Sequence, residues 1–150
     1  MTKAEQAIAM HTGGSSCSQA VFSVFAADSG LDMATAHKLS TGLGGGIGRM
    51  GLTCGAISGG VLALSLRYGN PDATDQVAKL DTYERCSAFI QAMQNKFGAT
   101  ECRMLLNGAD LWTEEGRAQV SAQNLTTKVC NAMIAEAVNY LESVLHTEHN

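Results

Sequence analysis

At 150 residues and 45% hydrophobic composition, the chain fits one domain, residues 1–150, that can bury a real core without disulfide staples. A formal net charge of -4, a pI near 5.5 and ten scattered basic residues exclude a general attraction to nucleic acid or to an anionic membrane. The N-terminal residues Met1 to His11 lack a signal-like apolar run, a twin-arginine pair or a lipidation motif, so the expected compartment is the cytoplasm. Five cysteines in that setting read as core thiols, metal ligands or redox groups.

Helical periodicity dominates, and alternating strand patterns are absent. A short helix is expected from about Lys3 to Met10, then a turn at Thr12-Gly-Gly14. Behind Ser15 or Ser16 as a cap, Cys17, Ala20, Val21, Val24 and Phe25 fall on one stripe, which puts Cys17 on the inward face of the next helix. Met33 to Ser40 predicts another short helix. The glycine-dense stretch from Gly42 to Gly51 follows, and a central buried helix starts near Cys54 and stops where Gly69 and Pro71 mark its end. The apolar part of that helix, Leu52 to Leu66, is too short for a membrane span.

A long segment from about Asp72 to Phe97, stopping at Gly98, carries Tyr83, Cys86, Ile90, Met93 and Phe97 on one face, predicted to point inward. A short helix near Glu101 to Leu106 and a turn at Asn107-Gly108 come next. The last segment, from about Arg117 to Leu145, aligns Cys130, Met133, Ile134, Ala137, Val138, Leu141, Val144 and Leu145. The expected fold class is therefore an all-α, single-domain bundle of about six or seven helices, with a glycine-rich loop before its central helix.

Cys54 is the first candidate for chemistry. A thiol at a helix N-terminus, with Arg49 nearby in sequence, is placed to favour its thiolate, the form that attacks electrophiles and binds metals. Beyond it, Gly55, Gly59 and Ala63 recur every four residues and leave a face that another backbone can approach; each helical glycine costs about 1 kcal/mol against alanine and needs an offsetting benefit. Tight packing is the plain benefit, and room for a cofactor or substrate beside Cys54 is the functional one. Gly46-Ile-Gly48-Arg-Met-Gly51 matches a dinucleotide fingerprint by letter, but no strand precedes it, and no Gly-Lys-Ser/Thr ending makes it a P-loop. A loop with positive φ, whose N–H groups at Gly46, Gly48 and Arg49 face an anion or a cluster sulfur, is the remaining use.

Other residues carry less. His11, His37, His146 and His149 show no metal-ligand spacing with the cysteines and read as solvated, with His37 the one that could add a ligand or a proton. Glu114-Glu115 reads as a helix start, and the scarcity of aromatics besides Trp112 argues against a base-stacking surface.

Read together, Cys17-Ser-Gln-Ala-Val, Gly44-Gly-Gly-Ile-Gly-Arg-Met-Gly51, Cys54-Gly-Ala-Ile-Ser-Gly59, Phe97-Gly-Ala-Thr-Glu-Cys102-Arg and Cys130 resemble the C_GCAxxG_C_C family, described as redox-active, over about residues 15–140. The anchor in this chain is Cys54, Ala56 and Gly59. The resemblance implies signature cysteines at Cys17, Cys54, Cys102 and Cys130 and leaves Cys86 outside the pattern. Some members of the family are selenoproteins, which implies nucleophilic or redox chemistry at a signature position.

Two mechanisms fit. In one, Cys54 attacks and a second cysteine, with Cys102 the favoured partner, resolves the product in a dithiol/disulfide cycle. In the other, Cys17, Cys54, Cys102 and Cys130 hold an iron–sulfur cluster or a metal ion, tuned by N–H groups of the glycine loop. The absence of a Cys-x-x-Cys pair means that the fold must bring the sulfurs together, and inert burial of all four is the alternative. The expected partner is a small-molecule substrate or a redox protein; the non-enzymatic alternative is an assembly module whose glycine face packs on a partner, including a second copy in a homodimer.

Overall fold

The computed structural model describes residues 1–146, and among them it is an all-α bundle of eight α-helices. Helix α1 (Lys3–Thr12) leads into α2 (Cys17–Ala26), which begins at a capping box: Ser16 Oγ accepts from Gln19 N–H and the Gln19 side chain accepts from Ser16 N–H. Helix α3 (Met33–Ser40) has the bounds its sequence predicts and is capped by Asp32. Helix α4 (Gly55–Tyr68) lies at the centre, with Cys54 as its N-cap residue and Gly69 at its C-cap.

The sparse face of α4 serves packing. A Cβ at Gly59 would stand 2.7 Å from the Ser18 carbonyl oxygen, and one at Gly55 would stand 2.9 Å from Ser18 N and 3.1 Å from Cys17 Cβ. Helix α2 therefore rests backbone-to-backbone on α4, and Cys17 is drawn toward the start of α4. Ser18, fully buried in this contact, keeps its hydroxyl satisfied by donating to Ser40 O at 2.8 Å.

Helix α5 (Gln76–Phe97) starts at Asp75 and ends at Gly98 in the left-handed region, φ 79°. Its inward face agrees with the expected one at Met93, which is buried, and at Cys86 and Phe97, which pack half-buried on the core, and differs at Tyr83 and Ile90. Thr82, Phe89 and Met93 are buried, whereas Tyr83 is 56% exposed and Ile90 36% exposed. The reason is a notch at Gly60 on α4, where a Cβ would meet the Phe89 ring at 2.5 Å. Phe89 fills this notch and sets the rotation of α5 about its axis.

The last predicted segment is also divided. Helix α7 (Glu114–Ala122) stops at Gln123, Asn124 takes φ 54°, and a π-helical turn at Thr126–Cys130 runs into α8 (Asn131–His146). The predicted core face of α8 holds: Met133, Ile134, Ala137, Val138 and Leu141 are fully buried. The short α6 (Cys102–Leu105) lies between α5 and α7. No helix among the described residues is long and apolar enough to cross a membrane.

Candidate functional site

Each signature cysteine sits at a helix boundary. Cys17 is the first residue of α2, Cys54 is the N-cap of α4, Cys102 opens α6, and Cys130 ends the π turn before α8. Two of these boundaries are tied by backbone: Thr53 and Glu101 form an isolated antiparallel bridge, Cys54 N–H donates to Thr100 O at 2.8 Å, and Cys102 N–H donates to Leu52 O at 2.6 Å. All four side chains line one cavity of ≈ 580 Å³. Cys86 lies elsewhere, half-buried against the main core.

The glycine loop forms one rim. Residues Gly45 to Arg49 all have positive φ, between 57° and 73°, and Ile47 and Arg49 adopt it although they carry side chains. Internal hydrogen bonds hold the turn, including Gly48 N–H to Gly42 O at 2.9 Å and Leu52 N–H to Gly46 O at 2.9 Å. Gly48 and Arg49 face the cavity, but Gly46 stands behind it, where a Cβ would meet Cys102 Cβ at 2.8 Å. Its lack of a side chain lets α6 close on the loop.

Burial opposes the helix terminus at Cys54. The thiol is only 6% exposed, and desolvation pushes it up to about 11, while the N–H groups of Ala56 and Ile57 pull more weakly the other way. Cys102 is pushed up to about 12, again first by burial, with the charges of Cys54 and Cys130 adding and Arg103 opposing. Both are protonated at neutral pH. Cys130 moves in the opposite direction: its hydrogen-bond interaction with Cys17 holds it below the ordinary thiol range, and the same interaction, followed by burial, holds the Cys17 proton well above it.

A stability consequence follows for Cys54 and Cys102. Both are raised in the folded protein above the ordinary value of 9.0, so their contribution is fully present below that value and is lost as pH rises through about 11 and 12. Urea midpoints of wild type should fall over this window more steeply than those of a Cys54→Ala, Cys102→Ala variant; parallel curves would contradict the assignment.

His11 is not solvated as its sequence context predicts. Its Nε2 lies 3.7 Å from Cys17 Sγ, and its Nδ1 lies 3.0 Å from Asn131 Oδ1. The amide oxygen can only accept, so Nδ1 carries the hydrogen and Nε2 turns a lone pair toward Cys17. The signal available in the sequence was adjacency: His11 shortly precedes Cys17, and Asn131 follows Cys130. His37 is held between Ser15 Oγ at 2.9 Å and Ser23 Oγ at 3.1 Å, tying α3 to α2 and the residues before it, and does not line the thiol cavity. The side chain of His146, and His149, lie outside the described residues.

Part of the cavity wall is apolar. Leu106, Ala109 and Leu125 form a small second core, against which Leu111, Val120, Val129, Cys102 and Cys130 pack. Trp112, 60% exposed, completes this side of the cavity. Among the described residues, no group of three or more His, Cys, Asp and Glu side chains is arranged to hold a metal ion; the four sulfurs share a cavity without that convergence.

A family model described as "Putative redox-active protein (C_GCAxxG_C_C)" matches residues 15–144. The comparisons found no matching curated protein and no matching solved structure.

Proposed function

The chain belongs to the C_GCAxxG_C_C family, which implies a cysteine-based redox role, and from that premise we propose that it exchanges a dithiol for a disulfide at Cys17 and Cys130. The observation that carries this reading is that Cys17, Cys130 and His11 line one cavity with His11 Nε2 3.7 Å from Cys17 Sγ, and that the two thiols move in opposite directions, Cys130 below the ordinary thiol range and Cys17 well above it. The thiolate is the attacking form, and Cys130 is the cysteine held toward it.

The cycle balances as follows. The Cys130 thiolate attacks one sulfur of a substrate disulfide; a Cys130–substrate bond forms, the substrate S–S bond breaks, and the first substrate thiolate leaves and takes a proton from water. The charge that held the Cys17 proton is then gone. That proton passes to His11 Nε2, Cys17 attacks Cys130 Sγ, and the second substrate thiolate leaves with the proton from His11. The substrate disulfide has gained two electrons and become two thiols, and Cys17–Cys130 has become a disulfide. An external dithiol reductant returns the protein to its starting state. Cys54 and Cys102, the pair nominated by sequence, remain as a second dithiol on the same cavity.

Mild oxidation of the reduced protein with diamide tests the assignment. The expected result is loss of two thiols, a Cys17–Cys130 disulfide in the peptide map, and no such loss in Cys130→Ser. Five persistent thiols, or a bond between Cys54 and Cys102 instead, would sink the pairing. The four sulfurs share the cavity without converging, which counts against an iron–sulfur cluster; visible absorbance accompanied by stoichiometric iron in the purified protein would overturn the dithiol reading in its favour.

A further inference from the structure

The cavity that holds the thiols has a mixed lining. Arg49 lines it from the glycine loop, and among the described residues no carboxylate pairs with that guanidinium. The N–H groups of Gly45, on the same rim, and of Gly46 behind it donate to no backbone carbonyl of the described residues. The lining also includes Leu105, Leu111, Val120, Met133 and the exposed Trp112. Among the described residues, no Asp or Glu lines the space. In a chain of net charge -4, a cavity lined by no carboxylate of the described residues, with an exposed Arg49 guanidinium on its rim, is a local departure from the acidic average. Its ≈ 580 Å³ lies within the range of about 300–1,000 Å³ usual for small-molecule sites.

We propose that this cavity binds a low-molecular-weight organic disulfide bearing a carboxylate, with the carboxylate at Arg49 and the carbon chain against Trp112 and Leu111. The choice of a disulfide rests on the dithiol reading above, whereas the choice of an anionic, partly apolar ligand rests on the walls alone. Cys54 is buried and Cys17, Cys102 and Cys130 are half-buried on the cavity wall, so a small molecule reaches them more readily than a disulfide fixed in a folded protein.

The test uses three dialkyl disulfides of similar size that are anionic, neutral and cationic in turn: dithiodipropionate, hydroxyethyl disulfide and cystamine. Each exchange rate with the reduced protein is divided by its rate with a free small-molecule thiol, which removes intrinsic reactivity. Dithiodipropionate should then exceed cystamine by about tenfold, and Arg49→Gln should shrink that ratio about fivefold while Arg49→Lys keeps most of it. Equal normalised rates in wild type, or a ratio untouched by Arg49→Gln, would overturn the proposal. A second arm contains no redox step: suberate, the all-carbon counterpart of dithiodipropionate, should bind in calorimetry and hexanediamine should not. Suberate binding together with failure of the diamide experiment would sink the dithiol reading and leave the ligand class standing. A Cys17–Cys130 disulfide together with no suberate binding would do the reverse.

Discussion

Replacing Gly59 by valine is expected to cost about 3 kcal/mol or more, among the largest single-residue losses in the chain. The added Cβ alone would lie 2.7 Å from the Ser18 carbonyl oxygen and 3.0 Å from Ser18 Cα. Both are backbone atoms of α2, so relief requires moving the helix and not a side chain. Moving α2 also breaks the Ser18 hydrogen bond to Ser40 O and carries Cys17 away from the start of α4. The alanine variant decides the sign of the argument. Helix propensity alone favours alanine over glycine by about 1 kcal/mol, so a glycine kept only for chain freedom would yield a more stable variant. The packing account gives the opposite: a lower urea midpoint for Gly59→Ala at unchanged m, and a lower one still for Gly59→Val. A raised midpoint for the alanine variant would show that α2 and α4 are not held at this spacing.

The same contact explains how much of the fold was legible in the residues. Local signals were sufficient where the chain caps itself: Asp32 before α3, Ser16 with Gln19 before α2, and Gly98 after α5 each use a side chain or a positive φ within the element's own sequence. The repeat Gly55, Gly59, Ala63 also read correctly as an approach for another backbone, although nothing in it identified α2 as that backbone. Periodicity failed where a distant residue chose the face. Tyr83 and Ile90 are as compatible with an inward stripe as Phe89, and only the notch at Gly60 selects Phe89. The break at Asn124 was hidden for a related reason, since no glycine or proline marks it and a non-glycine residue takes the left-handed turn.

At the site, sequence identified the four sulfurs that share the cavity but weighted them by local electrostatics. The N-terminus of α4 does act on Cys54, through the N–H groups of Ala56 and Ile57, yet burial acts more strongly. Burial depends on what the rest of the chain packs over the thiol, which a local motif does not contain. Cys130 had no helix start to recommend it; its thiolate is favoured by Cys17, a residue from the opposite end of the chain. His11 was overlooked because its partners, Cys17 and Asn131, belong to different helices.

Removal of His11 is the second large effect, and it should appear in one half-reaction only. Cys130 attacks first and needs no help from the imidazole, because Cys17 donates toward it. Cys17 must then lose its own proton, and Nε2 at 3.7 Å is the base that faces it. His11→Ala should leave formation of the mixed disulfide near the wild-type rate and slow its resolution by about 100-fold, so the Cys130-linked adduct accumulates in quenched samples. Asn131→Ala, which frees the ring to change tautomer, should slow the same step less, and Asn131→Asp, which keeps an oxygen facing Nδ1, should slow it least. Added imidazole should restore resolution in His11→Ala. A structural role for His11 would instead depress both steps, and imidazole would rescue neither. Accumulation of adduct in wild type and His11→Ala alike would remove the histidine from the cycle, since the proton of Cys17 would then be leaving by another route.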